Sequence, residues 1–425
     1  MSRSVEWPIA VRSVDVARPI EPLSGLSRYS RVRVFISHGE TLIGSVDVWH
    51  RGADTISAPR LIDAIAERHH ETLFQHALRQ QMQLARPPSE LPPTSVSIIV
   101  PTCDRPDDLR RLLESLLRQR TRHDIEIIVV DNRPGSGRTR EVLAEFPAVR
   151  LVEERRAGLS YARNAGILRT SGSIVVATDD DVVAPETWIE KLVEPFARAE
   201  VMAVTGHVLP LQLETEAQCR FEAYGGLGKG FAPFEADPAW LRSTRDAAPT
   251  WRLGATANAA FRAAVFRDPA VGLMHEALGA GMPTGCSEDS YLFYRILKAG
   301  GTLVYEPSAW VWHRHRESMA SLRRQIRAYS TGHVAYHLVT LTDGDRRALV
   351  RLLYSLPRHL VVRAVQRVRR HSDYPLSLIA LEILGNLMGP IALWRSLRRV
   401  RRLGPSAQEP LPKGDDALSL EGQAT

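Results

Sequence analysis

Residues 173–185, SIVVATDDDVVAP, join an apolar run directly to three consecutive carboxylates. Residues 173–178 are small and have high strand propensity, which predicts a buried strand. Asp179, Asp180 and Asp181 then follow at its carboxyl end, the edge where open α/β sheets bind ligands. Because crowded like charges repel, the triplet indicates a divalent cation or donor groups that neutralise it. Asp is also common in turns, so a solvated acidic turn is the alternative.

Strand and helix patterns alternate on both sides of this stretch. Residues 96–101, 125–130 and 149–153 are typical of strands, and helical periodicity fills the segments between them. Repeated strand and helix units with short links predict a Rossmann-like α/β fold, with a mostly parallel sheet and helices on both faces. Residues 102–105, Asp131 and the acidic triplet are then expected at one edge of the sheet.

The composition is that of an ordinary folded protein. The chain has 425 residues, more than a typical single domain, and its 44% hydrophobic and 24% charged residues exclude wholesale disorder. Cys103, Cys219 and Cys286 match no zinc or redox motif, which predicts a reducing compartment. Residues 1–19 contain no apolar core of signal-peptide length, so we expect the active part to face the cytoplasm.

Residues 1–93 are expected to form a small β/α region of unknown role. Residues 32–37 and 41–49 are typical of two strands around a turn, and two helices follow, the second over residues 71–84. The segment RPPSELPPT, residues 86–94, is proline-rich and predicts a stiff connector at the domain boundary.

The C-terminal region, residues 319–402, is expected to be helical and basic. Thirteen arginines and only two acids lie between Arg346 and Arg402. In residues 360–370 valines and arginines separate at helical spacing, which indicates a helix lying on anionic lipid. Residues 403–425 are expected to form a disordered tail.

Residues 376–394 are nearly apolar and about long enough to span a bilayer. Glu382, Gly385 and Pro390 interrupt the run, so a helix lying in the membrane interface is favoured over a spanning one. A helical pair packed on the preceding domain is an alternative. A nucleic-acid surface ranks last, because no recognisable nucleic-acid fold or interleaved aromatics accompany the arginines.

Four ordered motifs resemble the family 2 glycosyltransferases of the GT-A fold. They are VSIIVPTCDRPDDL (96–109), IIVVDN (127–132), GLSYARNAGI (158–167) and VVATDDDV (175–182). The resemblance covers about residues 95–315 and implies a GT-A catalytic domain over residues 94–318. Four motifs at compatible spacing are far more specific than any one of them.

The resemblance also implies a set of site residues. It places seven residues at the nucleotide-sugar donor: Thr102, Asp104, Asp131, Arg163, Asn164, Asp179 and Asp180. It assigns a divalent metal, Mg²⁺ or Mn²⁺, to Asp181, Asp180 and His313, and such an ion suits the departure of a diphosphate. Simpler interpretations are that Asp104 caps a helix, Arg163 is a surface cation and His313 is structural.

Residues 285–301, GCSEDSYLFYRILKAGG, predict a helix with Ser287 as its N-cap and two acids in its first turn. Acids favour helix N-termini on electrostatic grounds alone. In the family an ED pair at this place supplies the base, so the resemblance implies that Asp289 is the catalytic base and Glu288 its neighbour. By the same resemblance, Asn258 and Arg262 are candidates on the acceptor side.

These observations predict a membrane-associated, inverting and metal-dependent glycosyltransferase. It would transfer a sugar from a nucleotide-diphosphate donor to a hydroxyl of a cell-envelope glycan or lipid-linked acceptor. It would be peripheral or monotopic on the cytoplasmic face of an anionic membrane, with no nucleic-acid partner. The alternatives are a catalytically silent membrane scaffold and a sugar nucleotidyltransferase. The latter would be expected to use a glycine-rich phosphate loop, whereas PTCDRP at residues 101–106 has no glycine.

Overall fold

The computed structural model describes residues 7–50, 52–82, 91–369 and 373–406. Most of the predicted proline-rich connector and nearly all of the predicted tail lie outside the described residues.

An N-terminal sheet precedes the four sequence motifs. Its strands, in spatial order, are β1 (Ile9–Asp15), β2 (Arg31–His38) and β3 (Thr41–Trp49). The predicted hairpin of β2 and β3 is confirmed, whereas β1, which pairs with β2 in parallel, is not predicted by the sequence. One helix, α1 (Ala58–Gln81), replaces the two expected, and its Leu61 packs into the core of this sheet.

A nine-stranded sheet forms the centre of the chain. Its strands are β4 (Ser95–Thr102), β5 (Asp124–Asp131), β6 (Arg150–Glu153), β7 (Ile174–Thr178), β8 (Val182–Val183), β9 (Val201–Pro210), β10 (Phe234–Ala236), β11 (Asn258–Arg262) and β12 (Thr302–His313). The spatial order is β10-β12-β9-β11-β7-β4-β5-β6, with β8 paired to β12. Strands β6, β5, β4 and β7 are mutually parallel, as predicted, and β11 runs antiparallel to both of its neighbours.

Helices cover both faces of this sheet. They are α2 (Pro106–Leu116), α3 (Arg138–Leu143), α4 (Leu159–Ile167), α5 (Trp188–Val193), α6 (Glu216–Ala223), α7 (Pro238–Ser243) and α8 (Glu288–Lys298). Because side chains alternate along a strand, Ile98 of β4 packs with residues of α2 and α5, and Ile99 packs with residues of α4 and α8 on the other face. The predicted α/β fold is confirmed.

The N-terminal sheet packs against the end of β9 and β12. Phe35 and Leu42 share a small apolar cluster with Leu209, and the rings of Phe35 and Trp312 lie 5.5 Å apart, edge to face. The backbone N–H of Ile9 donates to the carbonyl of Leu213 at 2.8 Å.

A helical region follows β12. Its members are α9 (Met319–Thr342), α10 (Arg347–Val350), α11 (Leu356–Val368) and α12 (Leu376–Leu403). At Gly385 and Gly389, α12 packs closely against α9. A Cβ added at Gly385 would lie 2.7 Å from the carbonyl oxygen of Arg327, and one at Gly389 would lie 2.5 Å from the Cβ of Val334. These glycines therefore serve helix packing.

The outer face of the helical region is apolar. Leu387 of α12 is 70% exposed and Val368 of α11 is 73% exposed. In length and composition α12 is suited to crossing a membrane, with a mean hydropathy of 1.8, although one third of its apolar window is buried against the protein. The acid within it, Glu382, pairs with Arg363 of α11 at 2.9 Å.

Candidate active site

The acidic triplet meets the loop after β4 at the carboxyl edge of the sheet. Asp180 accepts hydrogen bonds from the hydroxyl of Thr102 at 2.8 Å and from Arg105 Nη1 at 2.9 Å. The same Arg105 nitrogen donates to Asp181 Oδ2 at 2.7 Å. The predicted meeting of these residues at one edge is therefore observed, and Arg105 neutralises part of the charge.

Asp179, Asp181 and His313 form the candidate metal centre. Each offers one ligand atom, and these atoms lie within 4.8 Å of one another. Strand β8, directly after the triplet, pairs with the end of β12 and so places His313 beside Val182. Asp181 Oδ1 is buried without a well-aligned hydrogen bond and faces His313 Nε2 at 3.2 Å. A carboxylate oxygen without a well-aligned hydrogen bond, next to an imidazole nitrogen, fits the binding of a divalent cation.

The metal role of Asp180 stays a prediction. Both of its oxygens already accept hydrogen bonds, from Thr102 and Arg105, and it is not part of the cluster. Asp179, which the sequence places at the donor, belongs to the cluster and is an additional candidate ligand. The three adjacent aspartates are equivalent in sequence. A turn makes their side chains point in different directions, and no sequence motif predicts that turn.

The pKa values of the two buried aspartates, Asp180 and Asp181, are shifted in opposite directions. Burial raises the pKa of Asp180, and Arg105 only partly offsets this. Burial also disfavours the charged form of Asp181, but His313 and Arg105 outweigh it and its pKa is lowered. Burial lowers the pKa of His313, the Asp181 carboxylate raises it, and the net direction is upward. Asp181 is thus held as a carboxylate at the place where a cation would bind.

A hydrogen-bond chain leads from His313 to the N-terminal sheet. His313 Nδ1 lies 3.0 Å from His315 Nδ1, and His315 Nε2 lies 2.8 Å from the carboxylate of Glu222. Glu222 belongs to α6 and lies 3.6 Å from Arg33 of β2. Burial lowers the pKa of His315, which favours its neutral form. No sequence pattern indicates a role for Glu222, because it lies 93 residues from His315 along the chain.

Arg163 joins the acidic triplet to the ED pair. Its side chain is 1% exposed, and its two terminal nitrogens donate to Asp179 at 2.7 Å and to Glu288 at 3.0 Å. The terminal guanidinium is thus engaged with carboxylates and holds two acidic segments together. Its role beside the nucleotide stays a prediction.

The ED pair opens α8 next to this bridge. Glu288 is buried, and Asp289 is partly exposed and accepts from the backbone N–H of Ser290 at 2.6 Å. The surrounding protein desolvates both carboxyls and raises the pKa of each. Lys229, from the glycine-rich loop after α6, stabilises the charged form of Asp289. Ser287 stands at the predicted N-cap position, but its φ is 78° and its side chain makes no capping bond.

Asp104 and Asp131 lie at the ends of β4 and β5, joined by Arg133. Arg133 pairs with Asp104 at 2.8 Å, and its backbone N–H donates to Asp131 Oδ1 at 2.9 Å. Asp104 does not cap α2, whose N-cap position is Arg105. Both acids therefore lie at the carboxyl edge of the sheet, and their contact with a nucleotide stays a prediction.

Three other candidates have structural partners. Asn164 is fully buried, and its amide donates to the carbonyl of Met274 and accepts from the N–H of the same residue, both at 2.9 Å. Asn258 bonds Trp188 and two carbonyls, and Arg262 donates to three carbonyls. The amide of Asn164 also donates to Glu276 at 3.1 Å. These contacts are structural, and the roles of the three residues at the donor or acceptor stay predictions.

Comparison with known proteins shows which families and proteins the chain is similar to. The family model for glycosyl transferase family 2 matches residues 97–266. Pre-mycofactocin glycosyltransferase of Mycobacterium tuberculosis is 30% identical over 241 residues, which are 55% of this chain and 46% of that protein. Succinoglycan biosynthesis protein ExoM of Rhizobium meliloti is 26% identical over 56% of this chain and 73% of its own length. The chain spans less than half the length of the first of these relatives.

One solved structure extends the comparison to three dimensions. Mannosyltransferase PcManGT from Pyrobaculum calidifontis, in complex with GDP-Man and Mn²⁺, superposes with a TM-score of 0.49 at 17% identity. The match covers 75% of this chain and 94% of that one.

Proposed function

We propose that the chain is a family 2 glycosyltransferase with the GT-A fold, since the model for glycosyl transferase family 2 matches residues 97–266, and that it transfers a sugar from a nucleoside-diphosphate donor to an acceptor hydroxyl. The observation that carries this proposal is the cluster of Asp179, Asp181 and His313, joined through Arg163 to the ED pair. The proposed donor site and the proposed base thus lie on two segments, which the buried guanidinium of Arg163 joins.

Asp179, Asp181 and His313 would hold a divalent cation, Mg²⁺ or Mn²⁺. When bound, such a cation neutralises the charge that develops on a departing diphosphate. An imidazole ligand suits Mn²⁺ better than Mg²⁺, which prefers oxygen. Asp104 and Asp131, at the ends of adjacent parallel strands, are placed to accept hydrogen bonds from the nucleoside.

Asp289 is the proposed general base. It takes the proton of the acceptor hydroxyl as that oxygen bonds to the anomeric carbon and the bond from this carbon to the phosphate oxygen breaks. A single displacement of this kind inverts the anomeric configuration. The raised pKa of Asp289 brings its basicity closer to that needed at neutral pH, while Lys229 keeps the charged form accessible.

A position on the membrane surface is part of the proposal. The apolar outer face of α11 and α12 is accompanied by the arginine excess of residues 346–402. Apolar burial and attraction to anionic lipid together anchor such helices. A glycan or lipid-linked acceptor of the cell envelope fits this position.

A screen of nucleotide sugars tests the proposed function. The chain is incubated with UDP-, GDP- and dTDP-sugars with Mn²⁺, Mg²⁺ or chelator, and thermal stability and sugar release are measured. At least one donor should stabilise the protein and be hydrolysed slowly, only with metal present. Release of pyrophosphate from a nucleoside triphosphate and sugar phosphate would instead identify a nucleotidyltransferase, and no metal-dependent nucleotide binding would identify a scaffold.

A further inference from the structure

A cavity of about 520 Å³ lies between α9 and α12, outside the site described above. Its lining includes four arginines, Arg323, Arg324, Arg327 and Arg395. All four are exposed, and within the described residues none of them is paired with a carboxylate. Four unpaired cations around one cavity repel one another and concentrate anions there.

The remainder of the cavity is largely apolar. Met282, Leu381, Met388 and Ala392 form this part of the lining. A free inorganic anion gains nothing from such a surface. An amphiphile can place its anionic group among the guanidinium groups and its first apolar units on these side chains, and the volume is within the range of small-molecule sites.

The cavity adjoins the segment that carries the proposed base. Gly285, which lines the cavity, belongs to the short loop that leads into Asp289 at the start of α8. The loop is pressed onto α9, because a Cβ added at Gly285 would lie 2.7 Å from the Cβ of Ala328, which also lines the cavity. Gly285 has φ +80°, a conformation that other residues rarely adopt. A ligand in the cavity would therefore contact the loop that leads into the proposed base.

We propose that this cavity binds the phosphate or diphosphate of a lipid-linked acceptor, and so presents the acceptor hydroxyl to Asp289. The inference rests on the proposed function and deepens it by naming the acceptor class. Guanidinium groups bind phosphate through paired, charge-assisted hydrogen bonds. The exposed apolar face of α12 beside the cavity gives the lipid chain a path into the membrane.

Binding of farnesyl phosphate, measured by calorimetry below its micelle concentration, tests the proposal. The wild type should bind it at least tenfold more tightly than either farnesol or inorganic phosphate, because each of these satisfies one half of the cavity. The double variant Arg323→Gln/Arg327→Gln should lose about 10- to 100-fold in affinity, the range expected for charge-assisted hydrogen bonds. The matched control is Arg398→Gln/Arg401→Gln, which removes two charges from α12 outside the cavity and should leave the affinity unchanged.

Two outcomes would overturn the proposal. Equal loss in both double variants would mean that the arginines act only as a diffuse positive surface. Displacement of farnesyl phosphate by phosphatidylglycerol vesicles at equal phosphate concentration would mean a general headgroup site. Mn²⁺-dependent binding of nucleoside diphosphates, measured on the same samples, should be unchanged in every variant. Its absence in the wild type would count against the glycosyltransferase itself and not against the cavity.

Discussion

His313 and His315 face each other through their Nδ1 atoms at 3.0 Å, so only one of these atoms can carry a proton when both rings are neutral. A lone pair on His313 Nε2, as a metal ligand needs, requires the proton on His313 Nδ1, which then donates to His315. His315 must in turn carry its proton on Nε2, which donates to Glu222 at 2.8 Å. Glu222 thereby sets the tautomer of His313, a proposed metal ligand, through its contact with His315.

Replacing Glu222 should therefore weaken metal binding. Glu222→Leu removes the acceptor, and we expect Mn²⁺ affinity to fall about 10- to 100-fold, the usual effect of losing such a partner. Glu222→Gln keeps an acceptor oxygen and should retain most of the affinity. Electron paramagnetic resonance of free Mn²⁺ gives both values without an activity assay.

The matched control is Glu214→Gln. Glu214 also ties the N-terminal sheet to the central domain, through Arg28 at 2.9 Å and the hydroxyl of Tyr29 at 2.6 Å, but does not bond the histidines. It should leave Mn²⁺ affinity unchanged. An unaltered affinity in Glu222→Leu would separate His315 and Glu222 from the metal centre.

Asp289→Asn should lower turnover without changing the affinity for nucleoside diphosphate. The amide keeps the acceptor oxygen for the N–H of Ser290 but cannot take a proton, so turnover should fall by about 10² to 10⁴. The affinity for nucleoside diphosphate should stay the same, because the donor contacts are proposed for other residues. Glu288→Gln is the comparison, since it changes the partner of buried Arg163 and should lower thermal stability. Wild-type turnover in Asp289→Asn would remove this residue from the mechanism.

His207 should make the fold sensitive to acid. This residue is 4% exposed, and burial lowers its pKa to about 4. An unfolded histidine has a pKa of about 6.5, so between these values the unfolded state binds more protons. The free energy of unfolding should fall as pH drops through this window, by up to about 1.4 kcal/mol per pH unit from this group.

Urea unfolding at pH 7 and pH 5 measures this contribution. His207→Asn, which keeps a donor near the Nδ1 position, should lose less stability between the two pH values than the wild type does. His70→Asn, at an exposed position of α1, should follow the wild type. Identical losses in wild type and His207→Asn would contradict the assignment.

The outer face of α12 should bind membranes. Leu387 and Trp394 are 70% and 55% exposed, and burying such side chains in lipid contributes about 1.5 to 3 kcal/mol each. Leu387→Asp/Trp394→Asp should reduce flotation with phosphatidylglycerol vesicles at least about tenfold. Phe74→Asp/Leu78→Asp on α1 changes two comparably exposed side chains and should have no effect. Equal flotation of all three proteins would exclude this face as the anchor.

The sequence predicted the strands whose carboxyl ends form the edge of the sheet. Apolar runs that end at Asp131 or Asp179 are a local pattern, and parallel strands place their carboxyl ends at the same edge. It also predicted His313 as a metal ligand, through the family resemblance alone. It could not distinguish Asp179 from Asp180, because the direction of each carboxylate depends on a turn and on Arg105. Glu222 and Arg33 were beyond prediction, since their contacts join segments far apart in the chain.

The central claim is that Asp179, Asp181 and His313 form a metal centre that binds a nucleoside diphosphate. The most direct measurement is calorimetry of UDP and GDP binding, with Mn²⁺ or with chelator, to the wild type and to Asp181→Asn. The account predicts that at least one nucleotide binds the wild type only with Mn²⁺, and that Asp181→Asn, folded by circular dichroism, loses this binding. Equal affinity of both proteins for the nucleotide in the presence of Mn²⁺ would contradict it.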